Sequence, residues 1–568
     1  MAIRVLCVTG LMLALCAAAF AQAPAEPQAA GVDKIFAQWD RADAPGCAVA
    51  VVKDGQVVYK RGYGSANLEL AVPLSPSSVF NTGSLAKQFT AMSVLMLERQ
   101  GKLSLEDDVR KHLPEVPDLG TPVRLRHLMH HTSGLRDFPE MLEMAGWRTG
   151  GDLTTEKDVL DMVARQRTLN HAPGREFLYT NTGYVLLAAV VRRVSGLPLR
   201  EFAEQNIFRP LGMNDTHFYD DHTAVIKNLA DAYLPRGGGG GLRKWMPADD
   251  HAGSSNLYTT VEDLARWDRN FYDTKVGGPE VVAQMLTPAA LDDGPKLEYA
   301  GGLFVTSYRG ARLVYHLGST LGYQGALYRF PEQRFSVALL CNVRGNNPDA
   351  LARRVADLYL EGRLAPRPPA AAQGEPAVAP ADAVKVSEKE LAAVAGLYWN
   401  PTTDVVRRVY VKDGRLMYLR SPGNESELAP LGANRFVMLG VRNKVEVSFQ
   451  PPRPGAPLQM LFAEGDRKPA VSEFVKAASY TPKQLDEFAG EYYSPELGVT
   501  YRMEARGDKL LFRTGNWGEF LLSPRFADSF ANPEEMGSLL FTRDRKGRVG
   551  GFVVRSGKVR NLRFDKIR

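Results

Sequence analysis

A duplication in the last third of the chain restricts its fold more than any other feature. Leu391-Ala392-Ala393-Val394-Ala395-Gly396-Leu397-Tyr398 recurs 94 positions later as Leu485-Asp486-Glu487-Phe488-Ala489-Gly490-Glu491-Tyr492. The same offset carries Val405 to Val499, Arg408 to Arg502 and Leu416 to Leu510. Both copies alternate short β-type runs with turn residues and show little helical periodicity. Two copies are too few for a solenoid, and each has about the length of a small antiparallel barrel, in which closure removes exposed strand edges. Barrel repeats are expected over 387–478 and 479–568.

Ahead of the repeats, residues 364–386 are dominated by Pro, Ala and Gly, as in Pro366-Arg367-Pro368-Pro369-Ala370, and read as a linker. Residues 32–363 mix strand signals, Ala48 to Val52 and Val57 to Tyr63 around an Asp54-Gly55 turn, with helix signals such as Leu85 to Arg99. That pattern predicts an α/β or α+β unit. A chain of 568 residues accommodates three or four such units. With 45% hydrophobic and 24% charged residues it is neither disordered nor fibrous. Lysine and arginine exceed acidic residues by 70 to 64, without a basic block, so a mildly basic solvated surface is expected and no nucleic-acid partner.

The one long apolar run follows Arg4 and closes in Ala19-Phe20-Ala21, which predicts a cleaved secretory signal over 1–21 and a periplasmic or secreted protein. An uncleaved anchor is the alternative. Lipidation at Cys16 is disfavoured because Leu15 is not small. Residues 22–31 are expected to form a disordered Pro/Ala-rich leader, with no integral membrane span once the signal is removed. Cys47 and Cys341 then remain, each in a strand-like run, either as a disulfide or as two buried thiols. No paired CxxC, HExxH or calcium-loop pattern occurs, so neither metal nor cofactor is expected.

Chemistry concentrates at Asn81-Thr82-Gly83-Ser84-Leu85-Ala86-Lys87, where a Gly-Ser step opens a helical segment. Residues three apart share a helix face, so the Lys87 amine can approach the Ser84 hydroxyl near the positive end of the helix. A serine becomes a useful nucleophile only when a neighbouring base takes its proton, and lysine can be that base if its pKa is lowered. Taken alone, Ser-x-x-Lys is weak evidence, equally satisfied by a capping serine and a surface lysine. Two further elements follow in order: Tyr179-Thr180-Asn181 ahead of an apolar helix, Val185 to Val191, and His316-Leu317-Gly318 at the end of a β-type run.

In this order the three elements resemble the active-site motifs of the penicillin-recognising serine hydrolase superfamily, in particular its class C β-lactamase, esterase and D-aminopeptidase branch. Supporting phrases are Leu128-Met129-His130-His131-Thr132-Ser133-Gly134-Leu135, Leu211-Gly212-Met213-Asn214-Asp215-Thr216 and Thr260-Val261-Glu262-Asp263-Leu264-Ala265-Arg266-Trp267. The resemblance covers roughly 32–363. It implies an α+β, β-lactamase/transpeptidase-like domain, an antiparallel sheet flanked by helices with an all-helical lobe, followed here by two lipocalin-like barrels. It further implies that Ser84 is acylated, that Lys87 and Tyr179 share its activation with Tyr179 as the proton shuttle, and that Asn181 positions the scissile group. His316 and Gly318 would contact substrate, the backbone N–H groups of Ser84 and Ser319 would form the oxyanion hole, and water would hydrolyse the acyl-enzyme.

The third motif departs from the Lys-Thr-Gly of β-lactamases. Neutral His316 cannot anchor a substrate carboxylate as a lysine does, so β-lactams and D-Ala-D-Ala are disfavoured against small D-amino-acid amides and peptides, with short-chain esters next. The rival readings are an acylating binding or sensor protein whose barrels hold an apolar ligand, and a β-lactamase or D,D-carboxypeptidase. Other matches carry no assigned role: Tyr398-Trp399-Asn400, Ser254-Ser255-Asn256, Lys53-Asp54-Gly55, the helix-spaced pair His127 and His131, and the glycine run Gly237 to Gly241, taken as a flexible loop.

Overall fold

The computed structural model describes residues 28–366 and 384–568, apart from 422, 433, 442–443, 453–455, 466–468, 517 and 533–536. The expected signal, most of the leader and most of the linker lie outside the described residues. The helices that matter for the site are α1 (Ala29–Phe36), α2 (Lys87–Arg99), α3 (Leu125–Met129), α4 (Phe138–Met144), α5 (Thr182–Ser195) and α6 (Pro348–Tyr359).

Strands β1 (Cys47–Lys53) and β2 (Gln56–Tyr63) turn around Asp54-Gly55, both residues having positive φ as a tight hairpin requires. Four later strands, β3 (Phe304–Tyr308), β4 (Ala311–Thr320), β5 (Tyr323–Phe330) and β6 (Phe335–Cys341), complete an antiparallel sheet in the order β3-β4-β5-β6-β1-β2. Because side chains alternate between faces, β1 serves two cores at once. Ala48 and Ala50 face the helical lobe with α2 and α5, while Cys47, Val49 and Val51 pack with Val32 and Phe36 of α1 and Leu351 and Val355 of α6. Burial of Val32, Ile35 and Phe36 draws the first turn of α1 back to Ala29, so residues 29–31 are helical rather than part of a disordered leader. At the other boundary Leu364 is buried and the Ala365 N–H donates to the Arg309 carbonyl (2.8 Å), so the first linker positions belong to this unit.

The open question about the cysteines is answered by register. β1 pairs with β6 so that Cys47 lies opposite Cys341, and the two are joined as a disulfide across 294 positions. Such a long closed loop removes much entropy from the unfolded chain. The Cys47→Ser, Cys341→Ser double variant is expected to be less stable by about 2–4 kcal/mol in urea unfolding.

Each repeat forms a closed eight-stranded antiparallel barrel, from Gly396–Trp399 to Ala470–Val475 and from Gly490–Ser494 to Val559–Lys566. The repeated motif is a short helix entering the first strand, Glu388–Val394 in one copy and Pro482–Leu485 in the other, so its opening residues are helical. The duplication is visible in detail. Tyr398 donates its hydroxyl to the Val394 carbonyl (2.7 Å), and Tyr492, 94 positions on, donates to that of Phe488 (2.8 Å). Side chains fill the interiors, with Tyr398, Phe436 and Phe449 in the first and Tyr492, Phe512, Phe541, Phe552 and Phe564 in the second. These rings occupy the space an apolar ligand inside the barrels would need.

The second barrel is joined to the catalytic unit. Met141, Met144, Val159 and Met162 continue its core, and the Tyr501 hydroxyl donates to the Met144 carbonyl. Arg136 and Glu496, both fully buried, pair across the junction (2.6 Å).

Candidate active site

A 3-10 turn, Gly83–Ala86, carries Ser84 directly into α2. The turn lies against β4 because neither side has a side chain in the way. Gly83 has φ 53°, and a Cβ there would sit 2.6 Å from the Ser319 amide nitrogen; one on Gly318 would sit 1.8 Å from the Thr82 carbonyl oxygen. The two glycines thus bring the Ser319 backbone alongside Ser84, and Gly318 acts through this close approach.

Lys87 projects from the first turn of α2 and is fully buried. Its Nζ lies 3.0 Å from Ser84 Oγ, 3.0 Å from Asn181 Oδ1 and 2.7 Å from the Ser254 carbonyl oxygen. Burial drives its pKa well below that of an ordinary lysine; Asp137 acts against this shift and Lys558 adds to it. A neutral amine has two N–H donors and one lone pair. In that form, donation to Asn181 and to the Ser254 carbonyl would leave the lone pair for the Ser84 hydroxyl. Lys87 also lies 4.9 Å from the Tyr179 ring centroid.

The Tyr179 ring is partly exposed to the cleft, but its hydroxyl is buried and makes no hydrogen bond of regular geometry. Burial raises its pKa well above that of a free phenol, with Ser84 close enough to act against the rise. His131 packs on the ring, 4.1 Å between centroids, and its Nδ1 accepts from the Thr180 N–H (3.2 Å). This residue lies beyond the end of α3 with φ 58°, so His127 and His131 do not share a helix face. The His127 Nδ1 is likewise engaged, by the Arg124 N–H at 3.1 Å. Among the described residues no three His, Cys, Asp or Glu side chains are grouped as metal ligands.

His316 is buried, and desolvation together with nearby Lys87 pushes its pKa down to about 3. Its Nδ1 lies 2.5 Å from the Leu317 carbonyl oxygen, which places the proton on Nδ1 and leaves Nε2 to accept from the Tyr299 hydroxyl (3.3 Å). The third motif therefore contributes a neutral imidazole.

Three groups that hold this arrangement carry no motif. Asp137 accepts from the Asn181 backbone N–H, from Asn181 Nδ2 (3.2 Å) and from Thr180 Oγ1 (3.1 Å), fixing the Tyr-x-Asn segment. Ser254, in the Ser254-Ser255-Asn256 stretch, supplies the carbonyl on Lys87. Lys558 arrives from the second barrel, at the tip of the hairpin between strands Val549–Ser556 and Val559–Lys566. Its Nζ donates to Asp137 (3.3 Å) and lies 5.4 Å from the Tyr179 ring centroid. The hairpin is clamped where it enters. The Lys558 N–H donates to Glu140 (3.0 Å), its carbonyl accepts from Asn170 Nδ2 (2.8 Å), and Arg560 pairs with Glu176 (2.9 Å). Burial, with Asp137 adding to it, raises the Glu140 carboxyl to about 7.

The cleft runs in two directions from Ser84, and Asn181 and Ser319 border both parts. One lobe, about 250 Å³, is lined by Phe138, Leu142 and Trp147 with the carboxylates of Glu143 and Asp249. The other, about 760 Å³, is lined by Tyr179, Phe304, Tyr315 and His316 with Lys558 at its edge. The remaining matches lie elsewhere. Tyr398-Trp399-Asn400 belongs to the first strand of the first barrel, Lys53-Asp54-Gly55 is the β1–β2 turn, and the glycine run joins the short strands Tyr233–Pro235 and Leu242–Lys244.

A fold of this kind, with a serine and a buried lysine meeting at a helix start beside the edge of an antiparallel sheet, defines a class, and comparison places the chain within it. A family model described as Beta-lactamase matches residues 32–361, more than half of the chain. The chain belongs to the beta-lactamase family and is a serine hydrolase of that family. It is 29% identical over 307 residues to a penicillin-binding protein of Bacillus subtilis (strain 168), covering 52% of this chain and 67% of the relative. It is 23% identical over 540 residues to a D-aminopeptidase of Brucella canis, covering 92% of this chain and 96% of the relative, a span that includes the barrels. Its fold is similar to that of an octameric penicillin-binding protein homologue from Pyrococcus abyssi, with a TM-score of 0.52 and 23% identity over 78% of this chain and 98% of that one.

Proposed function

We propose that this protein is an exported hydrolase of small D-amino-acid amides and short D-peptides, acting through an acyl-enzyme on Ser84. The observation that carries the proposal is the buried Lys87 Nζ 3.0 Å from Ser84 Oγ, with Asn181 Oδ1 and the Ser254 carbonyl as its other two partners. Lys87 takes the Ser84 proton as Oγ attacks the scissile carbonyl. The Ser84 and Ser319 amides receive the developing oxyanion. Tyr179, held protonated by burial, donates to the leaving group and is reprotonated from Lys87 beside it. Burial holds the Tyr179 pKa well above that of a free phenol even with Lys558 5.4 Å from its ring, which is why the lysine, rather than the tyrosine, is assigned as base. Asn181 orients the substrate carbonyl side, and a water follows the same path in reverse to release the acid.

Charge in the cleft supports the substrate class. The basic groups at the cleft carry little free charge: burial lowers the pKa values of Lys87, His251 and His316, Arg148 is held by Asp152 (2.6 Å) and Lys558 by Asp137. A substrate carboxylate gains little there. The smaller lobe instead offers apolar walls beside Glu143 and Asp249, which suits a compact side chain and a free ammonium. The disulfide and the N-terminal apolar run support export.

The test is a substrate panel on the purified chain: p-nitroanilides of D- and L-alanine, p-nitrophenyl esters and nitrocefin. The expected result is a kcat/KM for the D-anilide about 100-fold above the L-anilide, the outcome of a pocket that orients one stereoisomer, with nitrocefin the poorest substrate. Preference for the L-anilide, or nitrocefin as the best substrate, would overturn the proposal. Ester turnover above that of the D-anilide would move it to an esterase.

A further inference from the structure

Away from the catalytic cleft, the two barrels form a second, solvent-open cavity of about 580 Å³ where they meet. Its walls carry Arg407 and Arg420 from the first barrel and Arg525, Arg555 and Arg560 from the second, all of them half-buried, and the one acidic residue among the lining groups is Asp404. Asp404 pairs with Arg525 (2.8 Å), and Arg560 is taken by Glu176 outside the cavity. Among the described residues Arg407, Arg420 and Arg555 have no carboxylate partner; Arg420 donates to Ser426 Oγ (2.8 Å) and Arg555 to the Pro401 carbonyl (2.6 Å). The Arg555 Nε is buried and makes no hydrogen bond.

Three guanidinium groups without a carboxylate partner, gathered around one half-open cavity, repel one another unless a counter-charge enters. Burial, with Arg560 and Arg525 adding to it, lowers the pKa of Arg555 even though Asp404 acts in the opposite direction. Planar guanidinium forks interleaved with the hydroxyls of Ser421 and Ser523 are the donor set that tetrahedral oxyanions accept from. The volume exceeds what an inorganic ion needs and falls in the range of small-molecule sites, and Val406 and Pro524 give it an apolar wall.

We propose that this inter-barrel cavity is a binding site for a small organic phosphate, its phosphoryl group held by Arg407, Arg420 and Arg555 and its organic part lying against Val406 and Pro524. The site is independent of the catalytic chemistry assigned to Ser84.

The test is calorimetric titration of the full chain with phenyl phosphate, with citrate in parallel and sodium chloride holding the ionic strength constant. One saturable site for phenyl phosphate is expected, and Arg555→Gln and Arg420→Gln are each expected to weaken it about tenfold or more, as loss of a charged donor to phosphate does. Hydrolysis of the best substrate in the panel is expected to be unchanged in both variants when phosphate is absent. If Arg555→Gln does not fold, Arg407→Gln replaces it. Heat that does not saturate, affinity unchanged in the variants, or tighter binding of citrate than of phenyl phosphate would overturn the proposal.

Discussion

Ser84→Ala is expected to lower turnover of the best substrate by about a million-fold, the scale on which removing a serine nucleophile acts. Its unfolding midpoint should stay close to that of the parent, since Ser84 borders the cleft and its removal opens no void in the core. Lys87→Met, which keeps the length of the side chain and removes the lone pair, is expected to cost about 10²–10⁴-fold in kcat. The lysine variant has a second readout. Because the folded-state pKa of Lys87 lies below its unfolded value, the unfolded chain binds more protons between the two. Stability therefore rises with pH across that window, up to about 10.5. Lys87→Met should flatten that rise in urea unfolding compared at pH 6 and pH 9. Activity within tenfold of the parent, or an unchanged slope, would remove Lys87 as the base.

Arg136→Ala is expected to destabilise the protein by about 3–5 kcal/mol, the usual effect of leaving one member of a buried ion pair without its partner. More than Glu496 loses its contact. The same guanidinium donates to the Arg560 carbonyl (3.0 Å), the Asn561 carbonyl (3.2 Å) and the Thr168 hydroxyl (2.6 Å), so it holds the strand that follows Lys558. The variant should show a raised KM as well as a lowered urea midpoint. Replacing both partners with methionine should restore much of the stability, because an apolar pair leaves no stranded charge. A loss below 1 kcal/mol would mean that water reaches Glu496 at the junction.

The residues legible in the sequence are those whose relations are local or ordered along the chain. Ser84 and Lys87 are linked by helical spacing, Tyr179 and Asn181 by the entry to an apolar helix, and Tyr398 and Tyr492 by a constant offset. The groups that escaped act through tertiary placement. Asp137 reaches the Tyr-x-Asn segment across 44 positions, the Ser254 carbonyl meets Lys87 across 167, and Lys558 meets Asp137 across 421. Nothing in their own neighbourhoods marks them. The disulfide was undecidable for the same reason, since it depends on β1 lying beside β6 and on a register that only the assembled sheet defines. The pair His127 and His131, given no role, is not helix-spaced in the structure, because α3 ends at Met129 and the chain turns into a left-handed conformation at His131.

The hairpin that carries Lys558 also sets an order of events. Every other group at the cleft is made before the linker, and a nascent catalytic unit holds Ser84, Lys87, Tyr179 and His316 well before the final strands of the second barrel exist. Until those strands close, the wider lobe lacks Lys558 at its edge and Asp137 lacks its cation. Synthesis therefore supplies the nucleophile and its lysine first and the cation on Asp137 last. A chain interrupted within the second barrel would lack both the Lys558 contact to Asp137 and the barrel half of the core shared with Met141, Met144, Val159 and Met162.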